Sequence, residues 1–274
     1  IPKVTHVTID TVPRETEYDI VEVTPYRIEA KYSDFRHPDE VKFSKNIEDD
    51  LIRRDFTINA LAFSLDKGQI VDLYKGQEDI KDRMIRAVGD AKDRFNEDAL
   101  RMLRAIRFAS QLGFTIESDT MQAIVENSHL LKNISSERIR DEFVKIIESE
   151  NPSMGIGMLS KLGLLKYIIP ELEEGIGCDQ GGAHIYDVFE HCLEALEHSK
   201  NKGFPTYIRL SALFHDIGKP RTRRPGNKKA YTFYGHEVVG ARMVKTIMER
   251  LKFPKKETDF VMSMVRNHMF FSDT

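Results

Sequence analysis

Cysteine is scarce in this sequence and long apolar runs are missing, and each shortage narrows what the chain can be. Two cysteines, Cys178 and Cys192, among 274 residues give no basis for a disulfide framework, and a thiolate zinc site would lack ligands. Any metal must therefore sit on His, Asp and Glu. The longest apolar stretches, such as Leu164-Leu165 and Tyr167-Ile168-Ile169, fall far short of the ~18 residues of a spanning helix, and no basic-then-apolar leader is visible. The expectation is a soluble, cytoplasmic protein with no membrane partner. Neither sign of charge dominates: 41 Lys plus Arg face 44 Asp plus Glu, for a net charge of −3. A polyanionic partner must then be judged from clustering rather than from the total. No internal repeat or low-complexity segment is present.

A hydrophobic content of 41% with 9% aromatic residues suffices for a sizeable core, in one large domain or two to three smaller ones. Val7-Thr8-Ile9 and Tyr18-Asp19-Ile20-Val21-Glu22-Val23, joined by a polar turn through Pro13-Arg14-Glu15-Thr16, predict a hairpin. Ser33 to Glu40 is polar, contains Pro38 and reads as a loop. From Ile47 the spacing Ile47, Leu51, Phe56, Ile58, Leu61, Ala62 predicts a helix, with short extended pieces at Ile70-Val71-Asp72 and Ile85-Arg86-Ala87-Val88. Past residue 90 nothing resembles a strand. Leu100, Leu103, Ile106 and Ala109 recur at threes and fours, and further helices are expected at about 119–129, 136–149, 153–162, 186–200, 206–217, 235–251 and 255–268. The glycine-rich break from Gly175 to Gly182 is the best domain boundary. The expected fold class is α+β, predominantly α, divided into 1–88, 89–180 and 181–274.

Five of the nine histidines matter in the last third: His184, His191, His215, His236 and His268. His215-Asp216 follows the apolar run Leu210-Ser211-Ala212-Leu213-Phe214, which places two ligand-type side chains at the end of a buried helix. Imidazole and carboxylate suit a divalent metal of moderate hardness, and His191 and His236 could add ligands if their helices pack together. Each histidine taken singly is equally compatible with a hydrogen-bonded structural role.

Taken together, His191, Phe214-His215-Asp216-Ile217-Gly218-Lys219-Pro220, Tyr234-Gly235-His236-Glu237 and Asn267-His268 resemble the HD metal-dependent phosphohydrolase superfamily over roughly 184–274. The resemblance implies a divalent metal on His191, His215 and Asp216, with His236 and His268 recruited in a two-metal variant. It departs at the family's late Asp, whose usual helix is matched by neither Asp259 nor Asp273. Such a site would polarise a phosphoryl oxygen and activate a water while Lys219 neutralises developing charge. Lys219, Arg221, Arg223, Arg224, Lys228 and Lys229 place six basic residues within eleven positions, suited either to an RNA or phosphate backbone or to a solvated loop.

Two further signals lie upstream. In Asp50-Leu51-Ile52-Arg53-Arg54-Asp55-Phe56-Thr57-Ile58-Asn59, Asp55 and Asn59 would share a face of a helix. In Glu97-Asp98-Ala99-Leu100-Arg101, Asp98 and Arg101 stand three apart, so on one helix an acceptor and a planar donor fork could present together to the edge of a base. Cytosine and adenine each offer an amino donor beside a ring acceptor, which one Asp–Arg pair satisfies and guanine or uracil mismatches. An ordinary i,i+3 salt bridge is the competing reading.

Arg53 to Ala60, Asp72 to Ile80, Ile85 to Asp90, Arg94 to Arg101 and Ser136 to Glu142 occur in the order and spacing of the bacterial-type (class II) tRNA nucleotidyltransferase and poly(A) polymerase family. The resemblance covers about residues 17–175. It implies that Arg54 and Asp55, with Asn59 nearby, meet ribose and triphosphate, and that Asp98 and Arg101, supported by Glu97, select CTP and ATP without a nucleic-acid template. Arg104, Arg107, Arg138 and Glu142 would brace that helix. Family members carry an Asp-x-Asp pair that holds two magnesium ions. No such segment is found here, and it is expected upstream of Ile1, where the chain enters as if in mid-sheet. Glu22 resembles a further carboxylate near that metal site.

Members of this family with a trailing HD domain unite the two resemblances. They imply a partial α/β nucleotidyltransferase head (1–88), a helical nucleotide-selecting and RNA-binding middle (89–180) and an all-α HD domain (181–274). The implied activity is addition of CMP and AMP from CTP and ATP to the 3′ end of tRNA, with Mg2+ at the transfer site and a divalent metal at the HD site. An A-adding enzyme, a poly(A) polymerase, an HD phosphohydrolase with a degenerate head, and an RNA-binding module are the alternatives.

Overall fold

The computed structural model describes residues 23–32, 38–181, 185–226 and 230–269. The strand expected at Val7 to Ile9, nearly all of Tyr18 to Val23 with its Glu22, most of the 33–40 loop, His184, Lys228, Lys229 and Asp273 lie outside the described residues. The head begins with β1 (Arg27–Tyr32), which pairs antiparallel with β2 (Pro38–Phe43), Arg27 opposite Phe43.

The helix expected from Ile47 through Ala62 is corrected. α1 (Ile47–Leu51) stops after five residues, Thr57–Asn59 makes a 3-10 turn, and Leu61 enters β3 (Leu61–Ser64), antiparallel to β4 (Gln69–Asp72). Partners far along the chain override the helical spacing. Phe56 is fully buried and bridges to Ala87, the Thr57 amide donates to the Arg86 carbonyl at 2.9 Å, and the Thr57 hydroxyl donates to Asp79 at 2.6 Å. The segment from Arg53 to Asp55 is thereby left as a turn. α2 (Gly76–Lys81) packs onto it so closely that a Cβ on Gly76 would stand 2.3 Å from the Thr57 carbonyl oxygen.

β5 (Met84–Ile85) leads into α3 (Ala91–Glu97), capped by the Asp90 side chain, which accepts from the Lys92 amide at 2.7 Å. α4 (Leu100–Leu112) follows after a break at Asp98-Ala99 and ends at Gly113 with φ 65°. β6 (Thr115–Ile116) then pairs parallel with β5. The expectation of no strand past residue 90 is therefore corrected here, and again at β7 and β8 below. Each of these strands is two residues long, too short for an alternating pattern to register.

α5 (Ser118–Asn127), α6 (Ser136–Ile147), α7 (Pro152–Lys161) and the short α8 (Pro170–Glu173) complete the middle. α9 (Val188–Asn201) opens with a capping box between Asp187 and Glu190, and α10 (Thr206–Phe214) runs into His215. α11 (Lys219–Thr222), β7 (Arg224–Pro225), β8 (Tyr231–Thr232), α12 (His236–Arg250) and α13 (Lys255–Asn267) finish the chain. One apolar core runs from Phe56 and Phe95 through Leu103, Phe143 and Leu165 to Phe214, Ile247 and Val265. The start of the glycine-rich break is packed rather than loose: the Phe189 amide donates to the Gly175 carbonyl and the Val188 amide to that of Cys178. Among the described residues no helix is long and apolar enough to cross a membrane.

Candidate functional site

Two sites emerge. The first is an open cleft of about 540 Å³ where the 53–59 turn meets the α3–α4 break and the first turn of α6. It brings together Arg54, Asp55, Asn59, Asp98, Arg101, Arg104 and Arg138 of the sequence candidates, with Arg53 of the same motif, Leu100 and Phe108 completing its walls.

Asp98 and Arg101 reach the cleft by a route the spacing did not anticipate. The single helix carrying both is corrected: Asp98 follows the last residue of α3 in extended backbone (φ −144°, ψ 103°), and Arg101 sits in the first turn of α4. Their side chains do not pair with each other, although the Arg101 amide donates to the Asp98 carbonyl at 3.0 Å. One Asp98 oxygen accepts from the Leu100 amide at 3.0 Å and the other from Arg138 at 2.7 Å. Arg101 donates to Glu97 at 2.6 Å, to the Arg94 carbonyl at 3.2 Å and to the Arg53 carbonyl at 2.9 Å. Both side chains are fixed by neighbours before any ligand arrives, which lowers the ordering cost of binding.

Asp55 lies deeper. Arg104 donates to it through Nε (2.8 Å) and Nη2 (2.5 Å), the Phe56 amide at 2.9 Å and Asn59 at 3.1 Å. Burial alone would raise its pKa, yet the Arg104 charge and these hydrogen bonds hold it below the usual carboxylate range. Arg107 is not in the cleft wall. It is buried behind it, bonded to Glu142 at 2.8 and 3.0 Å, with its guanidinium 4.2 Å from the Phe108 ring centroid. Two participants escaped the candidate set: Phe108, which floors the cleft beneath Arg104, and Asp50, whose spacing to Arg53 and Arg54 at i,i+3 and i,i+4 is the signal that could have found it.

The second site is a ring of imidazoles around Asp216. His191 and His215 reach one carboxylate oxygen at 3.3 and 3.1 Å; His236 and His268 reach the other at 3.2 and 3.6 Å. The helices explain this convergence. α9 supplies His191, the end of α10 supplies His215 and Asp216, the start of α12 supplies His236, and the end of α13 supplies His268. A Cβ on Gly218 would stand 2.2 Å from the His236 carbonyl oxygen, so the chain after Asp216 must be glycine for α12 to approach.

The donor set fits two divalent ions sharing Asp216. His191, His215 and Asp216 form one group and Asp216, His236 and His268 another, with the ligand atoms of each within 4.8 Å of one another. Backbone carbonyls of Ala212, Phe233 and Val265 lie 2.7 to 2.8 Å from Nδ1 of His215, His236 and His268, which aims each Nε2 inward. Burial would raise the Asp216 pKa, but the surrounding imidazoles hold it far below the ordinary range. For His268 burial works downward, and hydrogen bonding to Asp216 outweighs it, so its pKa is raised.

The basic run behaves unevenly. Lys219 turns inward, 2.7 Å from both Asp216 and Gln180, and Arg221 forms a bidentate pair with Glu174 at 2.6 and 2.8 Å. Arg223 stacks on Tyr231 with its guanidinium 3.6 Å from the ring centroid, and Arg224 is exposed.

Comparison with known proteins follows this division. The family described as "Poly A polymerase head domain" matches residues 3–86, that described as "Probable RNA and SrmB- binding site of polymerase A" matches 113–176, and the HD domain family matches 181–274. The CCA-adding enzyme of Ligilactobacillus salivarius is 49% identical over 164 residues, 60% of this chain and 40% of that one. The A-adding tRNA nucleotidyltransferase of Deinococcus radiodurans is 40% identical over 239 residues, 84% of this chain and 54% of that one. The chain thus spans about half the length of these curated relatives. The Thermotoga maritima CCA-adding enzyme, solved in complex with tRNA, shares the fold at a TM-score of 0.54 and 22% identity, covering 81% of this chain and 48% of that one. Head, RNA-binding segment and trailing HD domain thus match, in that order, the two polymerase A families and the HD family, and the curated relatives are tRNA nucleotidyltransferases.

Proposed function

We propose that this chain is the nucleotide-selecting, RNA-holding and HD-bearing portion of a cytoplasmic, template-independent nucleotidyltransferase that adds CMP and AMP from CTP and ATP to the 3′ end of tRNA. The observation that carries the reading is the convergence of Asp98 and Arg101 with Arg54 and Asp55 in one cleft, from segments more than 40 residues apart. Asp98 offers a carboxylate to an exocyclic amino group, and Arg101 retains donor capacity for a ring acceptor. Arg53, Arg54 and Arg104 line the same cleft and supply the positive charge that a triphosphate needs. The chain's own contribution is selection and orientation. Mg2+ held by the family's paired carboxylates would supply the phosphoryl-transfer chemistry.

At the second site, His191, His215, Asp216, His236 and His268 would hold divalent metal, which supplies Lewis acidity and an activated water for phosphoester hydrolysis. Lys219, pinned against Asp216, places a cation at the same point. Arg223 and Arg224 remain the candidates for RNA or phosphate contact there.

The test is incubation of the full-length protein with tRNA lacking its CCA end and each labelled nucleotide in turn. Addition of both CTP and ATP is expected. Addition of ATP alone would assign the A-adding variant that the Deinococcus relative favours, and addition of neither would sink the reading. Hydrolysis of a phosphomonoester with Mn2+, lost in His215→Ala and retained in Asp98→Ala, is expected of the HD site.

A further inference from the structure

We infer that Asp50 is a positioning residue that acts through Arg53 and Arg54 to set the triphosphate side of the cleft. This rests on the nucleotide-binding reading above and adds a residue to it.

Asp50 sits in α1 with 5% of its surface exposed and is not among the residues that line the cleft. Its two carboxylate oxygens are divided between two neighbouring guanidiniums. Arg53 donates to Oδ1 through Nε at 3.1 Å and through Nη2, while Arg54 donates to Oδ2 through Nε at 3.2 Å and Nη2 at 2.7 Å. Both arginines line the cleft, and the Arg54 side chain remains 46% exposed. Adjacent arginines repel, and free arginine side chains sample many rotamers. A shared buried carboxylate removes both problems, because each guanidinium is held through Nε and Nη2 while its Nη1 stays outside that pair.

The same short segment is tied to the base-selecting side. Arg94 donates to the Ile52 carbonyl at 2.9 Å, Arg101 donates to the Arg53 carbonyl at 2.9 Å, and Glu97 receives from both Arg94 and Arg101. Asp50 therefore sets side chains whose backbone is already fixed by the residue that reads the base. Losing Asp50 should release the phosphate-side arginines and leave Asp98 and Arg101 in place.

The experiment uses the full-length protein with tRNA lacking CCA and compares wild type, Asp50→Asn, Asp50→Glu, Arg54→Ala and the Asp50→Asn/Arg54→Ala double variant. Loss of charge-assisted hydrogen bonds predicts that Asp50→Asn raises KM for CTP and ATP alike by about tenfold. kcat and the CTP-to-ATP preference should stay within about twofold, a split expected when uniform binding is lost. Asp50→Glu should restore most of the affinity. The double variant should raise KM by less than the two single effects combined, since the part of Asp50 that acts through Arg54 adds nothing once Arg54 is gone, while the part that acts through Arg53 remains. An unchanged or lowered KM in Asp50→Asn overturns the proposal, as do additive effects in the double variant or an altered CTP-to-ATP preference. If Asp50→Asn loses its fold by circular dichroism, the Asp50→Glu comparison decides, and failure to restore affinity overturns the proposal. A wild-type protein that adds neither nucleotide overturns the nucleotide-binding reading itself, which separates that failure from one confined to Asp50.

Discussion

Replacing Glu142 by Gln should lower the stability of the chain by about 3 kcal/mol, because it strands a buried charge. Glu142 and Arg107 are 3% and 7% exposed and meet through two contacts of 2.8 and 3.0 Å. Among the described residues Arg107 forms no second ion pair, Asp55 acting on it only at longer range, and its Nε has no hydrogen-bond partner. Burial works against its charge strongly enough to lower its pKa in spite of Glu142. Removing one partner of a buried pair costs about 3–5 kcal/mol, and the Gln amide oxygen keeps one of the two acceptors, which puts the loss at the low end. Lys145, which also reaches Glu142 at 3.2 Å, is half-exposed and adds little. With an m-value of roughly 3 kcal/mol/M, the urea midpoint should fall by about 1 M. The chain has no Trp, so unfolding is best followed by far-UV circular dichroism. The Arg107→Leu/Glu142→Leu double variant should recover to within about 1 kcal/mol of wild type, since an apolar pair leaves no charge unpaired. A shift below about 0.3 M in Glu142→Gln would refute the argument that this pair holds α6 against α4.

Three other outcomes follow. Titration with Mn2+ alone should load two ions per chain; His191→Ala and His268→Ala should each lose one, and Asp216→Ala both, as counted by elemental analysis. Gly218→Ala should cost about 1–3 kcal/mol and disrupt metal loading, because its Cβ would meet backbone atoms of His236 and Gly240 at 2.2 and 2.6 Å. Asp55 has a folded pKa below its ordinary 3.8, so its stabilising contribution is present above about pH 4 and is lost as pH falls through the folded value. The stability gap between wild type and Asp55→Asn should therefore narrow as the pH falls below about 4, in urea midpoints measured across that range.

The long helices were legible because their packing is local. α4, α6, α12 and α13 present apolar residues at threes and fours, and those faces are the ones buried. The segment 56–62 carried the same spacing and folded otherwise, because the partners of Thr57 are Asp79 and Arg86, far outside any window that periodicity scans. Asp98 and Arg101 were legible as a pair of residue types, but their spacing implied one helix. The pairing of Asp98 with Arg138, 40 residues on, is a tertiary fact. At the histidine cluster, the family resemblance had already grouped the five side chains that the fold brings together. What spacing could not reveal is that Asp216 stands between them, with His191 and His215 on one oxygen and His236 and His268 on the other. The inward turn of Lys219 was equally hidden, since its partner Gln180 comes from the glycine-rich break.

Selection of the base by Asp98 and Arg101 is what distinguishes the proposed enzyme from a mere RNA-binding module. The most direct measurement is competitive incorporation by full-length protein on tRNA lacking CCA, with CTP and ATP set against UTP and GTP, in wild type, Asp98→Ala and Arg101→Ala. Base-edge contacts specify while phosphate contacts position, so the variants should lose the preference for CTP and ATP by about tenfold or more while tRNA affinity stays within about threefold. Unchanged discrimination in both variants, with tRNA binding impaired instead, would contradict it.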